Sequence, residues 1–356
     1  MNFEMTDDRR MLAESLSRFL NDACPIEARA TLAYESPFHS KQAWDGLVEL
    51  GALYALVPEA RGGMGGTGFD IAVVFEALGR ALCPEPMLPA LMAAQLLAAA
   101  DRTLEPLLSG LRYAVGIGEL DAPYDLETIA TSARLNGDSW TLSGRKSVVY
   151  GGGVAERILV LARAEGALAL FEVDADVADI TPYGMIDGGP AAEIFLDDAP
   201  AEMLLPDAKA AARTALDAGV LALSAEALGA MQTATDMLTD YLKTRQQFGQ
   251  KLGAFQALQH RAVTLMIEIE QARSSVILAA DALGEDKQSY RISQAKHLVG
   301  IIARQVSEET IQMHGGIGIT WEYPLAHYAK RLVMIDHQLG DTDHHLERLM
   351  GEIIDG

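Results

Sequence analysis

The sequence predicts an α+β chain, mostly α. It has an N-terminal helical domain (residues 1–110), a central small β-sandwich or barrel domain (111–206) and a C-terminal four-helix bundle (207–356). Three observations carry this. Apolar residues recur at helical spacing up to about residue 110, the period changes to alternation between Arg112 and about Pro206, and three long runs then step by three and four residues.

In the first part, Met11, Leu12, Leu16, Phe19 and Leu20 make one apolar face. Trp44, Leu47, Val48 and Leu50 make a second that ends at Gly51, and Phe69 to Leu82 continues the pattern. Leu88 to Ala99 is a helix of small apolar residues started after Pro86 and Pro89. Gly63-Met64-Gly65-Gly66-Thr67-Gly68 satisfies the spacing G-x-G-x-x-G, but a dinucleotide turn needs a strand running straight into the glycines. Pro58-Glu59-Ala60-Arg61 intervenes with helices on both sides, so the expectation is a flexible interhelical loop.

In the middle part, Tyr113–Ile117, Trp140–Ser143, Ile158–Ala162 and Ala167–Phe171 read as strands, with Asn136-Gly137-Asp138 and Glu165-Gly166 as turns. In the last part the seams are Leu216, Val220, Leu223, Ala227, Ala230, Ala234, Met237 and Tyr241, then Leu258 through Leu283, then Ile292 through Val306. Such seams pack long helices at shallow angles. A final helix runs around Leu346, Leu349, Met350 and Ile353.

A chain of 356 residues that is 49% hydrophobic can bury a substantial core. Its formal net charge of -22 argues against nucleic acid or an anionic membrane surface as partner, since either would repel it. Two cysteines, Cys24 and Cys83, are too few for a disulfide framework and fit a reducing compartment. Met1 to Arg10 lacks the apolar core of a signal peptide, and Met87 to Ala100 is too short to span a bilayer. The expected location is therefore cytoplasmic, without membrane insertion.

The chemistry concentrates between Arg245 and Gly318. Arg245 suits a bidentate phosphate contact, Phe248 stacking, Gln256 and Gln312 hydrogen bonds, and Gly315-Gly316 close backbone approach, so together they point to an anionic, nucleotide-like group. The motifs Arg245-Gln246-Gln247-Phe248-Gly249 and Gln312-Met313-His314-Gly315-Gly316, with the order helical, β, helical, resemble the acyl-CoA dehydrogenase family. The resemblance covers nearly the whole chain. It implies an oxidoreductase acting on the CH–CH bond of an acyl-CoA thioester, with FAD held by Arg245, Phe248, Gln256, Gln312, Gly315 and Gly316. Electron-transfer flavoprotein is the implied acceptor, and β-oxidation of a fatty acid or steroid side chain the implied setting.

The sequence departs from that family where the flavin ring and the base belong. Gly118-Glu119-Leu120-Asp121-Ala122-Pro123-Tyr124-Asp125 replaces the Thr-Glu-Pro…Gly-Ser-Asp run, and Val148-Val149-Tyr150-Gly151-Gly152 replaces Trp-Ile-Thr and its glycines. Leu339 stands where most members carry the catalytic Glu, and Gly219 where others do. The catalytic residue is therefore unknown, with Asp217, Glu226 and Asp341 as carboxylates to test. The run Asp336 to His345 carries metal-ligand types at a spacing that matches no defined site, and reads instead as a helix start capped by Asp341 or Thr342. Half a flavin site resembles the base-lacking subunit of heteromeric α2β2 acyl-CoA dehydrogenases, completing the FAD site of a second, catalytic subunit. Two alternatives stand beside it: a homo-oligomeric dehydrogenase with a relocated carboxylate, and a flavin-free scaffold or regulatory protein of the same fold.

Overall fold

The computed structural model describes residues 5–355, without the side chains of Ile353 and Asp355. The reading of the first four residues, and of Ile353 in the last apolar face, falls outside the described residues. The helices before the sheet are α1 (Asp7–Ala23), α2 (Arg29–Tyr34), α3 (Lys41–Glu49), α4 (Ala52–Ala55), α5 (Gly68–Ala81), α6 (Met87–Ala99) and α7 (Glu105–Leu108). The strands follow as β1 (Tyr113–Gly116), β2 (Ser132–Asn136), β3 (Ser139–Tyr150), β4 (Arg157–Ala164), β5 (Ala167–Asp174), β6 (Asp179–Gly184) and β7 (Pro190–Leu205). The chain ends with α8 (Lys209–Thr244), the short pair β8 (Gln246–Gln247) and β9 (Gln250–Lys251), then α9 (Gln256–Asp281), α10 (Gln288–His314), α11 (Leu325–His337) and α12 (Thr342–Asp355). The α+β class, mostly α, is the one the sequence predicts.

The chain divides into two compact units. One gathers the residues up to Ile26, Gly68–Cys83 and everything from Val220 onward, and the other holds Glu27–Thr67 and Pro84–Gly219.

In the first unit, α1 starts where the Thr6 hydroxyl accepts the Arg9 amide at 3.3 Å, with Asp7 and Asp8 facing the positive end of the helix. The sequence seams of the later helices hold. Ala262, Leu265, Ile269, Ala272, Val276 and Ala279 are buried on α9, as are Ile292, Ala295, Val299, Ile302 and Val306 on α10. Helix α10 packs against α9, α11 and α12. Helix α8 is covered on every side from Asp217 to Met231, so no single seam describes it there. By length and composition α8 could cross a membrane, yet its most apolar window is 89% buried inside the protein. Helices α5 and α8 touch backbone to backbone. A Cβ on Gly79 would lie 2.0 Å from the Glu226 carbonyl, and one on Gly229 2.1 Å from the Glu76 carbonyl.

In the second unit, the sheet closes on itself. Strand β2 pairs with β3, β3 with β7, β7 with β5, β5 with β4, and β4 returns to β2 through the pair Ser132–Arg163, with β1 and β6 added alongside. The small β domain is thus barrel-like rather than a sandwich. Both predicted turns are two-residue hairpins. Gly137-Asp138 joins paired Asn136 and Ser139, and Glu165 (φ +51°) with Gly166 (φ +92°) joins paired Ala164 and Ala167. Inside, Leu142, Ile158, Val160, Phe171, Ala192 and Ile194 form the core. Strands β6 and β7 carry few β-branched residues and escape the sequence criterion.

The glycine-rich loop is tighter than expected. The amides of Met64, Gly65 and Gly66 donate to the carbonyls of Tyr54, Val57 and Ala55 at 2.8, 3.0 and 2.8 Å. A Cβ on Gly63 would lie 1.9 Å from the Val57 carbonyl oxygen. These glycines serve a turn folded against its own neighbours. Their amides are spent inside it, which leaves none of the three to cradle a phosphate.

Candidate functional site

Helix α8 ends where the Arg245 amide donates to the Tyr241 carbonyl at 2.8 Å, and the Leu252 amide closes a hairpin on the Arg245 carbonyl at 2.9 Å. Phe248 (φ +53°) and Gly249 (φ +78°) form its two-residue turn, both in the left-handed region. That conformation is costly for phenylalanine. It holds the Phe248 ring 89% exposed, edge-on to Phe255 at 6.3 Å. Arg245 is exposed and makes no ion pair among the described residues. Gln256, also exposed, is the first residue of α9.

The second motif lies at the C-terminal end of α10, with Gln312, Gly315 and Gly316 all exposed. Two contacts bring it to the same end of the helices as the hairpin. The His314 ring stacks on Tyr241 at 4.4 Å, and Arg261 of α9 pairs with Glu309 of α10 at 2.6 Å. Gly315 is set by its φ of +71°. A Cβ on Gly316 would meet nothing within 4 Å, so packing within the chain does not demand glycine there. A bare backbone facing open space at the same end of the helices as an exposed guanidinium and an exposed aromatic ring fits a phosphate-bearing planar ligand approaching from outside. His314 itself is buried and its pKa is lowered by burial. Its Nδ1–H donates to the Thr310 carbonyl at 2.8 Å.

The stretch that stands where the family resemblance would place flavin-ring contacts is engaged within the chain. Glu119 is 8% exposed and accepts from Lys146 Nζ (2.7 Å), the Thr131 amide (3.0 Å) and the Ala130 amide (2.7 Å). Its carboxylate therefore fastens the 118–131 loop to β3. Burial pushes Glu119 up, but the hydrogen bonds from Lys146 and Thr131 outweigh it and hold the pKa at about 2. Burial lowers the Lys146 ammonium to about 8, offset in part by Glu119. Because the Glu119 value lies below the ordinary 4.5, its stabilisation is complete above 4.5 and is lost as the pH falls towards about 2. We expect Glu119→Gln to flatten that part of the stability–pH curve and to cost on the order of 3 kcal/mol at neutral pH, by leaving Lys146 without a counter-charge. Urea titrations between pH 3 and 7 (about that span) check it.

The carboxylates that could replace the base are already engaged or enclosed. Glu226, 6% exposed, takes a two-bond contact from Arg331 at 2.6 and 2.8 Å. Asp341 accepts the His344 amide at 2.8 Å and caps α12, as the sequence suggests. Asp217 is fully buried on α8. The 336–341 loop is held by hydrogen bonds from three other elements. Lys296, fully buried, donates to the carbonyls of Asp336 and Gly340 at 2.8 and 2.6 Å. Arg331 donates to the Gln338 side chain at 2.9 Å, and His345 Nε2 donates to the Leu339 carbonyl at 3.3 Å. His345 is neutral, burial lowering its pKa to about 2. Leu339 is held at φ +57° by this scaffold. Asp336, the first acid of the supposed ligand run, accepts from Thr342 at 2.6 Å and Arg304 at 3.2 Å. Lys146, Lys296 and Arg331 were not legible as organising residues. Polar or charged neighbours flank each of them (Arg145 and Ser147, His297, Lys330), so no local signal marks them.

The acyl-CoA dehydrogenase N-terminal domain matches residues 6–102 and the C-terminal domain residues 209–352. The chain is 31% identical over 351 residues to the 3-sulfinopropanoyl-CoA desulfinase of Paraburkholderia xenovorans, covering 91% of this chain and 90% of that protein. It is 30% identical to the acyl-CoA dehydrogenase IpdE2 of Mycolicibacterium smegmatis, covering 98% of this chain and all, 100%, of that one. Among solved structures, a variant of the Tcur3481–Tcur3483 steroid ACAD superposes with a TM-score of 0.90 at 30% identity, covering 98% of both chains. The ChsE4–ChsE5 complex of Mycobacterium tuberculosis shares the fold, with a TM-score of 0.90 at 23% identity over 100% of both chains.

Proposed function

Since the chain belongs to the acyl-CoA dehydrogenase family of oxidoreductases acting on CH–CH groups, we propose that it is the base-lacking subunit of a heteromeric acyl-CoA dehydrogenase. In this reading it completes the FAD site of a catalytic partner in an α2β2 assembly. The observation that carries the reading is the contrast within one chain. Arg245, Phe248, Gln256, Gln312, Gly315 and Gly316 are all exposed at one end of the helices and Glu226 is locked to Arg331, while Leu339 and Gly219 stand where the family resemblance would put the base.

Arg245 would neutralise a phosphate, Phe248 would lie against a planar ring, and Gly315-Gly316 would let backbone approach the ligand. FAD, when bound, supplies the acceptor for the hydride removed from the acyl chain. Exposed Val263, Met266 and Ile267 on α9 and Leu346 and Met350 on α12 support association with another subunit. The Tcur3481–Tcur3483 and ChsE4–ChsE5 structures are of assemblies named for two chains, which supports the heteromeric form. The substrate is an acyl-CoA, in fatty acid or steroid side-chain β-oxidation. The acceptor is an electron-transfer flavoprotein and the location cytoplasmic.

The test is flavin content and acyl-CoA oxidation of the chain purified alone, and then co-purified with a family member that keeps the Thr-Glu-Pro and Trp-Ile-Thr motifs. FAD and turnover only with the partner support the proposal. Stoichiometric FAD and turnover from this chain alone establish the homo-oligomeric alternative, and colourless protein with every partner the scaffold. In the FAD-bearing complex, Arg245→Ala should weaken FAD binding roughly tenfold to a hundredfold, the worth of one charge-assisted phosphate contact. Equilibrium dialysis of FAD against wild type and variant measures it.

A further inference from the structure

The chain has two cysteines, and the fold brings them together. Cys24 is the C-terminal cap residue of α1, and Cys83 follows α5 by two positions. They are 59 residues apart in sequence, yet their sulfurs are 3.8 Å apart and not joined by a disulfide. Helices α1 and α5 pack on each other, which brings the ends that carry the two cysteines together. A disulfide needs the sulfurs about 2.05 Å apart, so closing the bond draws the two segments that follow α1 and α5 together from 3.8 Å.

The two thiols differ in access. Cys24 is 7% exposed, whereas Cys83 is half-buried. Cys83 is the last residue of its segment in the first compact unit, and Cys24 lies two residues before Ile26, the end of the other. A bridge would therefore tie the ends of α1 and α5, whose other residues (Arg9, Ala13, Phe69, Val73) line a groove of about 520 Å³.

We propose that Cys24 and Cys83 form a reversible redox clip that a hydroperoxide closes and a dithiol opens. The Cys83 thiolate attacks one peroxide oxygen, breaks the O–O bond and becomes a sulfenic acid as hydroxide leaves. The Cys24 thiolate then attacks the Cys83 sulfur and expels a second hydroxide, which takes up a proton. The two sulfurs lose two electrons in total, both oxygens of the hydroperoxide end as water or alcohol, and the protons come from the two thiols. The exposed partner reacting first and the buried one resolving is the order the burial dictates.

The experiment treats the native full-length chain with hydrogen peroxide and then counts thiols and maps peptides without reduction. The expected result is loss of both thiols, a cross-linked peptide joining Cys24 to Cys83, a melting temperature raised by a few degrees, and recovery of both thiols with dithiothreitol. In Cys24→Ser, the same treatment should carry Cys83 on to sulfinic acid, because no resolving thiol remains. Retention of both thiols, or sulfinic acid at Cys83 in the wild-type chain with Cys24 still reduced, overturns the proposal.

Discussion

Gly229→Ala should destabilise the protein by about 3 kcal/mol or more, and Gly79→Ala should do the same. The added methyl of either variant falls 2.0–2.1 Å from a backbone carbonyl oxygen of the facing helix, on Glu226 for Gly79 and on Glu76 for Gly229. A flexible side chain could move aside, but a helical carbonyl cannot. Relief therefore requires α5 and α8 to separate by over an ångström, which opens the packing of Phe75, Leu78 and Leu228 that the crossing closes. In free helices alanine is favoured over glycine by about 1 kcal/mol, so propensity alone predicts the opposite sign. Thermal or urea melts of the two single variants decide between them. A gain in stability at either site would mean that the helices do not touch there.

Arg331→Met is the second large effect, expected at about 3–5 kcal/mol. Its guanidinium bonds both oxygens of Glu226 and the Gln338 side chain, all within 2.9 Å, and Glu226 and Gln338 are 6% and 4% exposed. Removing the cation leaves a buried carboxylate facing apolar surroundings, which costs more than the pair itself contributed. Glu226→Gln in the Arg331→Met background removes the stranded charge and should recover a large part of the loss. A double-mutant cycle by denaturant titration measures the coupling, and additive losses would show that the two side chains are independent. The same change frees Gln338 beside Leu339, so amide exchange in the 338–341 loop should rise as well.

The seams of α9 and α10 were legible because both helices are amphipathic in this fold, and a period of three and four residues records which face is covered. For α8 the same criterion succeeds only for type. A helix covered on every side from Asp217 to Met231 has no exposed face to set a phase. The hairpin turns at Gly137-Asp138 and Glu165-Gly166 were legible through their residues, since left-handed φ values restrict the choice locally. Strand β7 was not, because exposed Phe195 between buried Ile194 and Leu196 hides the alternation, and Ile194 is its one β-branched residue.

For the candidate site, the residue types of the Arg245 and Gly315-Gly316 motifs carried the proposal of a nucleotide-like ligand before any coordinates. Such a contact needs a cation, an aromatic and bare backbone at fixed spacing, and spacing is written in the chain. The sequence alone therefore determined the fold class, and it is the source of the proposal for which residues would meet a nucleotide. Only the tertiary structure decided which polar groups are committed. Glu119 is bound to Lys146, Glu226 to Arg331, and the Leu339 loop to Lys296 across 27, 105 and 44 residues of chain. It also decided that Cys24 and Cys83 meet. These are encounters between distant segments, set by how helices and strands pack and not by any local preference, so no period or motif in the sequence could have carried them.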